Sequence, residues 1–545
     1  MPGKQPWLAY YDIGVPQHID YPEKTLVNLF EDTAAVFPNK TCTIYDDNKL
    51  TYSRISVLSD KISNYLLNSG VRKGERVGIL LPNIPEFIIA YYGILKVGGV
   101  VLALNPSSNH NELIQQINEV NVKRLFLEQK KYPSIVGDIE QTSIEGLIVA
   151  GDTTEKLRKN DIYVKTIFKS KYNTPVIKDI VSPDDAAIFQ YSGGTTGLPK
   201  CAIGTHRNLV ANAIQFRKWL VNTEEGKENV LITIPLYHVY GMVLGMNLAV
   251  LLGAGMILIP DPRNLDNLLS QIERHHATIF PGVPNLYSAI NRLIAVQEDR
   301  YDLSSIKACI SGSATLSEQT KTEFERFTGG HLVEGYGLSE APTATHCNPI
   351  LGENRIGSIG LPLPDVECRI VDIETGVYDV PNGEIGELIV RGPQIMQGYY
   401  NKPAETELVL RDGWLFTGDI CRMDTEGYFY LIDRKKDVIK VGGFQVWPNA
   451  VEKVILENPK VQVAAVAGVF DQNKGELVKA WVVIKDGKTA TELEIISWCK
   501  QYLTRYKVPT MIEFVDVLPR SGVGKVLRRV LVKEHMQRQG KNKKA

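Results

Sequence analysis

Between residues 26 and 311, short apolar runs alternate with stretches whose apolar residues recur every three or four positions. The runs 76–81 (RVGILL), 100–104 (VVLAL), 186–190 (AAIFQ), 230–235 (VLITIP), 277–280 and 306–311 predict buried strands. Leu26, Leu29, Phe30, Ala34 and Ala35 share one helical face, as do Ile55, Leu58, Ile62, Tyr65 and Leu66. The spacing predicts further helices over 85–97 and 208–221, the latter from Leu209, Ala213, Ile214, Phe216 and Leu220. Strands alternating with helices point to parallel α/β layers. From 357 to 432 the pattern becomes glycine-punctuated alternation, as at Leu388 and Val390, which predicts antiparallel strands and a small barrel. Residues 438–545 read as a small α+β region. The polar stretch 152–185 reads as a variable connection, 281–284 (PGVP) as a stiff turn, and the basic tail 533–545 as a frayed end. One uncharged stretch, 241–259, is long enough to be weighed as a membrane span. Its glycines, Asn247 and the following Pro260 fit a buried helix and strand better, so no integral membrane segment is expected.

The densest chemistry lies at 191–200 (YSGGTTGLPK), directly between a predicted strand and the region leading to a helix. A glycine-rich turn leaving a strand can adopt backbone angles closed to other residues. Its successive N–H groups can then converge on an anion, with Ser and Thr hydroxyls adding donors and Lys a point charge. The stretch reads as a phosphate cradle, against the alternative of a flexible linker. It lacks the spacing of a Walker A loop, and 522–526 (GVGKV) is only a decoy for one.

Composition narrows the class. The 545 residues exceed what one core supports, so several domains are expected. A net charge of -1 gives no electrostatic reason for a nucleic-acid partner. Seven scattered cysteines without a CxxC pair argue against a zinc site or disulfide framework and fit a reducing, cytoplasmic setting. The N-terminus has no apolar core of a signal peptide. The basic tail leaves weak peripheral contact with anionic lipid open.

Residues 192–200 resemble the signature loop of the adenylate-forming superfamily, which includes acyl-CoA synthetases, peptide-synthetase adenylation domains and firefly-type luciferases. Further motifs of that family recur along the chain. The resemblance implies an N-terminal domain, 1–432, of two α/β-layered subdomains plus a small β-barrel. It also implies a hinge at 433–437 containing Lys436, and a small mobile α+β C-terminal domain, 438–545. It implies that Ser192, Gly193, Gly194, Thr195, Thr196, Gly197 and Lys200 bind ATP. Gly312, Ser313 and Ala314 would receive adenine, with Glu334, Gly335, Tyr336 and Gly337 beside them and Tyr336 as an aromatic face. Ser339, where the family usually has Thr, would meet phosphate, and Glu340 with Thr196 would hold Mg2+. Asp419 and Arg434 would take the ribose, and Lys525, in the loop 519–525 (PRSGVGK), would bridge the reacting groups. His238 of the PLxH motif would lie against the acyl carboxylate in a pocket with Tyr240, Gly241, Gly282, Val283 and Gly337. Lys440, Gly442 and Gly443 would meet coenzyme A.

The implied reaction is ATP-dependent activation of a carboxylic acid as an acyl-adenylate, followed by transfer to coenzyme A, with small molecules as the only partners. Acetate-type members carry Trp at the position of Gly337, so a longer or bulkier acid is expected. Residues 7–42, 236–242 (LYHVYGM) and 341–349 (APTATHCNP) look like medium- to long-chain fatty-acyl ligases. An aryl acid of the 4-coumarate type is the close rival. Luciferase-like and carrier-loading enzymes remain alternatives, the second disfavoured because no carrier-type pattern follows.

Overall fold

The apolar runs become the strands of two mixed sheets in the computed structural model, which describes residues 5–151, 156–171, 181–191, 200–297, 300–441, 444–471, 475–522 and 524–542. One sheet has nine strands, in the order Leu361–Pro362, Ala341–Cys347, His331–Leu338, Ala308–Ser311, Ile279–Gly282, Asn229–Ile232, Gly255–Leu258, Thr41–Tyr45 and Asn48–Thr51. The strands from His331–Leu338 to Thr41–Tyr45 run parallel, and antiparallel strands flank them. The other has eight, in the order Gly398–Tyr399, Cys201–Thr205, Ala186–Tyr191, Val100–Ala103, Arg76–Leu80, Arg124–Glu128, Gly146–Ala150 and Ile162–Tyr163. Parallel strands must be covered on both faces. Helix Pro85–Lys96 shows the consequence, since every residue except Glu86 is buried. Even Lys96 is enclosed, and it is neutralised by Glu31 at 2.5 Å and Asp60 at 2.7 Å.

The described residues divide into two compact units, the first drawn from 1–194, 198–367 and 391–415, the second from 368–390 and 416–545. Both large sheets belong to the first. In the second, strands Val461–Asp471 and Gly475–Ile484 pair antiparallel, and Met511–Phe514 adds in parallel. Strand alternation splits their side chains between two cores. Ala464, Val466, Val478 and Val482 pack on one side, and Ala465, Val469, Trp481 and Val483 on the other, where Leu531 of helix Arg528–Asn542 meets them. The expected glycine-punctuated strands form a five-stranded sheet in which Trp414–Met423 pairs antiparallel with Phe429–Arg434.

Four local expectations change. The stretch 152–185 holds a short strand, Ile162–Tyr163, and helix Val164–Phe168. Pro281 and Gly282 finish strand Ile279–Gly282, and a helix begins at Pro284. The tail is helical as far as Asn542, in a helix tied to the sheet by Leu531, Val532 and His535. The helix expected within 241–259 is a π-helix, Tyr240–Asn247, followed by α-helix Leu248–Leu251 and strand Gly255–Leu258. Among the described residues no helix is long and apolar enough to cross a membrane.

Asn83 fixes the chain entering that π-helix. Its side-chain amide donates toward the carbonyls of Ile232, Ile234 and Ile259 at 3.1–3.2 Å, and its Oδ1 accepts the Leu236 N–H at 2.8 Å. All of this is buried. An abandoned buried N–H costs far more than an average hydrogen bond contributes. Asn83→Ala should therefore lower unfolding stability by about 2–4 kcal/mol in urea denaturation.

Candidate active site

The polar groups of the first unit gather where parallel strands end, the usual ligand edge of open α/β sheets. His238 leads into the π-helix: its N–H donates to Pro235 O at 3.0 Å, and its own carbonyl accepts from Met242 at 2.9 Å. Its Nδ1 accepts the Tyr240 N–H at 3.2 Å, so the ring proton resides on Nε2. Burial pushes its pKa down to about 4, so the ring is neutral at pH 7. Gly241 cannot carry a side chain here, because a Cβ would lie 2.5 Å from Pro235 O. Tyr240 is buried, and its one hydroxyl proton is shared between the carbonyls of Ile310 at 2.7 Å and Gly282 at 3.0 Å. Its ring lies under Gly312, 3.2 Å from where a Cβ would stand. Val283 precedes the helix that begins at Pro284. Tyr240, Gly282 and Gly312 therefore do share one place, with Tyr240 as its floor. Beyond Gly312 the chain turns at Ser313, whose φ is 74°, and leaves Ser313 and Ala314 exposed.

The segment 334–340 occupies a hairpin, His331–Leu338 against Ala341–Cys347. Glu334 is buried, and desolvation pushes its carboxyl up to about 8 against a backbone donor from Leu316. Gly335 and Tyr336 stand opposite Cys347 and His346, and the Tyr336 ring edge meets the His346 ring at 5.8 Å. Gly337 has a backbone reason of its own. The pairing register shifts there, and a Cβ would come 1.7 Å from Thr343 O. The hairpin itself demands glycine, whatever the pocket requires. Ser339 and Glu340 form the turn. Glu340 Oε1 accepts the Tyr399 hydroxyl at 2.8 Å, and its carbonyl accepts the Met396 N–H at 2.9 Å. Lys200 lies 5.1 Å over the Tyr399 ring and 3.3 Å from Glu405. Tyr399 and Glu405 belong to no motif recognised in the sequence. Ser192, Gly193, Gly194, Thr195, Thr196, Gly197, Gly442 and Gly443 lie outside the described residues.

The second unit holds a separate constellation. Asp419 and Arg434 stand opposite each other across the hairpin, and Nε meets Oδ1 at 2.8 Å, with Asp419 buried. Gly418, at φ 69°, turns its N–H onto Glu387 at 3.2 Å, and Lys435 grips the other Glu387 oxygen at 2.7 Å. Buried Glu387 thus orients the turn that presents Asp419, a role the sequence does not signal.

Lys525 sits in a tight turn. Gly524, at φ 79°, donates to Ser521 O, and Ser521 N–H donates to Lys525 O, both at 2.8 Å. Arg528 steadies the loop through Asp437 at 3.2 Å and Glu452 at 2.9 Å. The Arg434 guanidinium is the first cause, and burial the second, that bring the Lys525 ammonium down to about 8, against the opposing pull of Asp419 and Asp437. Since the residue keeps an exposed surface, the neighbouring charge carries the shift. Lys436 is exposed on the turn after Arg434. Lys440 is exposed on strand Ile439–Val441, and its N–H donates to Glu476 at 2.6 Å.

The donor set suits Mg2+ delivered with a nucleotide. Among the described residues no group of three metal-ligating side chains occurs. One oriented hard carboxylate, Glu340, is what such an ion takes when phosphates supply the remaining oxygens.

The AMP-binding enzyme family model matches residues 30–400, and that of the AMP-binding enzyme C-terminal domain matches residues 450–525. The long-chain-fatty-acid–CoA ligase of Bacillus subtilis is 42% identical, covering 98% of this chain and 99% of its own. That of Escherichia coli O157:H7 is 34% identical, covering 97% and 98%. Among solved structures, ATP-bound MatB from Rhodopseudomonas palustris superposes with a TM-score of 0.82 at 28% identity, covering 93% of this chain and 99% of its own. An anthranilate CoA ligase in complex with anthranoyl-AMP gives 0.83 at 27%, covering 94% and 98%.

The Lys525 shift can be read by competitive acetylation across pH. The amine should become reactive around pH 8, and Arg434→Gln should move that midpoint upward toward the ordinary lysine value by removing the neighbouring cation.

Proposed function

The chain belongs to the AMP-binding enzyme family, and from that premise we propose that it is an ATP-dependent acid–CoA ligase acting on medium- to long-chain fatty acids. The observation that carries the substrate class is its full-length likeness to named long-chain-fatty-acid–CoA ligases. Gly337 does not carry it, because the hairpin backbone already requires glycine there.

A carboxylate resists a thiol because its leaving group would be oxide. In the first half-reaction a carboxylate oxygen attacks the α-phosphorus of ATP, the bond to pyrophosphate breaks, and an acyl-adenylate forms. In the second, the coenzyme A sulfur gives up its proton and attacks the acyl carbon, the C–O bond to AMP breaks, and a thioester forms as AMP leaves. The protein's task in the first step is alignment and charge neutralisation at phosphorus. Glu340 and Thr196 would hold Mg2+, which would supply charge neutralisation on the phosphates. Lys525 bridges the acyl and phosphate oxygens, and Asp419 and Arg434 hold the ribose. Neutral His238 offers an aromatic face and an Nε2–H to the acyl carboxylate without a competing ionic grip. A protonated Glu334 can both donate and accept along one edge, as the adenine edge requires.

The domain assignment belongs to this proposal: 1–432 binds the nucleotide and acid, 433–437 is the hinge at Lys436, and 438–545 is the moving domain. It presents Lys525 for adenylation, then Lys440 with Gly442 and Gly443 for the thiol. Closing and reopening of such domains often limits turnover.

ATP–pyrophosphate exchange across palmitate, octanoate and 4-coumarate tests the reading. Exchange should be fastest with the fatty acids, and exchange confined to 4-coumarate would replace it with an aryl ligase. Lys525→Ala should lower exchange by roughly 10²–10³ while leaving thioester formation from supplied acyl-adenylate. Lys440→Ala should do the reverse.

A further inference from the structure

We propose that Tyr399 is a positioning residue for the metal-binding carboxylate, coupling Glu340 to the strand that leaves the phosphate loop. This rests on the reading of Glu340 as the Mg2+ ligand. Three observations converge on it. First, one short segment holds Glu340 at both ends: the Met396 N–H binds its carbonyl at 2.9 Å and the Tyr399 hydroxyl binds Oε1 at 2.8 Å. A carboxylate has two oxygens on a rotatable stem, so a fixed donor on one sets where the other points. Second, Tyr399 is itself held by its surroundings. Its ring is buried, its N–H donates to Thr406 Oγ1 at 2.9 Å, and Gly398 before it packs against Thr406 in a conformation, φ 149°, that L side chains rarely adopt.

Third, the same segment is sewn to strand Cys201–Thr205, which follows the phosphate loop directly. Gly398 and Tyr399 pair with Ile203 and Ala202. The Gln397 N–H meets Ile203 O at 3.0 Å, and the Tyr400 N–H meets Cys201 O at 2.8 Å. Lys200, the last residue of the loop motif, lies over the Tyr399 ring. One rigid side chain thus presents its edge hydroxyl to the metal acid and its face to the loop lysine. The distance between a phosphate-binding cation and a metal-binding anion is then set by a single ring.

Tyr399→Phe keeps the ring, its packing and its face toward Lys200, and removes only the hydroxyl. The probe is Mn2+, followed by electron paramagnetic resonance as it binds the enzyme together with a non-hydrolysable ATP analogue. Loss of one hydrogen bond to a charged group should weaken Mn2+ binding roughly 10-fold, with affinity for metal-free AMP unchanged. In the adenylation half-reaction the loss should shrink as Mg2+ is raised. Glu340→Gln should weaken Mn2+ at least as much, and adding Tyr399→Phe to it should have no further effect. Unchanged Mn2+ affinity in Tyr399→Phe, with Glu340→Gln impaired, would overturn the positioning role. So would equal losses for AMP and for the metal complex, which would mark a general structural defect. If Glu340→Gln itself leaves Mn2+ binding intact, the underlying assignment of the metal ligand fails instead.

Discussion

Two cations held beside one buried carboxylate are the arrangement on which the catalytic reading depends. Asp419 is enclosed and must be neutralised, and Arg434 does so from the facing strand position. Lys525 is then brought into the same neighbourhood, where repulsion by Arg434, together with burial, outweighs the pull of Asp419 and Asp437. Arg434 and Lys525 thus stand as like charges beside Asp419 and Asp437. Under the proposed function, a nucleotide phosphate is the anion that these two cations meet. Such preorganised charge needs little rearrangement when negative charge develops at phosphorus.

Much of the second unit serves to hold those charges in place against their repulsion. The hairpin register sets Asp419 opposite Arg434, Glu387 restrains the turn at Gly418, and Arg528 ties the lysine loop to Asp437 and Glu452. The first unit solves a complementary problem with backbone and neutral groups. Tyr240 spans two strand ends, Asn83 fixes the approach to His238, and burial keeps the His238 ring uncharged. A neutral ring can face a carboxylate without trapping it as an ion pair, which suits a group that must react.

The layered α/β pattern was legible because parallel strands, covered on both faces, read as short continuous apolar runs. Motif resemblance singled out Asp419, Arg434 and Lys525, and the structure adds that strand pairing joins the first two. Other parts left no local trace. Tyr399 meets Glu340 from 59 positions away, and Asn83 meets Ile232 from 149. Neither periodicity nor spacing encodes such contacts. The π-helix at 240–247 was invisible because a wide turn and an ordinary one share the same apolar composition. Gly337 looked like an open pocket wall, yet the hairpin's shifted register accounts for it. The basic tail suggested fraying, whereas Leu531 and Val532 at its root pack against the sheet and His535 meets Lys479 and Trp481.

The repulsion between the two cations can be measured at the Lys525 amine itself, by nuclear magnetic resonance titration of the side chain with and without a bound acyl-adenylate analogue. The free protein should titrate near pH 8, and the bound analogue should move the midpoint clearly upward as its phosphate compensates Arg434. A free-state midpoint at the ordinary lysine value, unmoved by the analogue, would contradict the idea that these cations are held in mutual repulsion for a nucleotide.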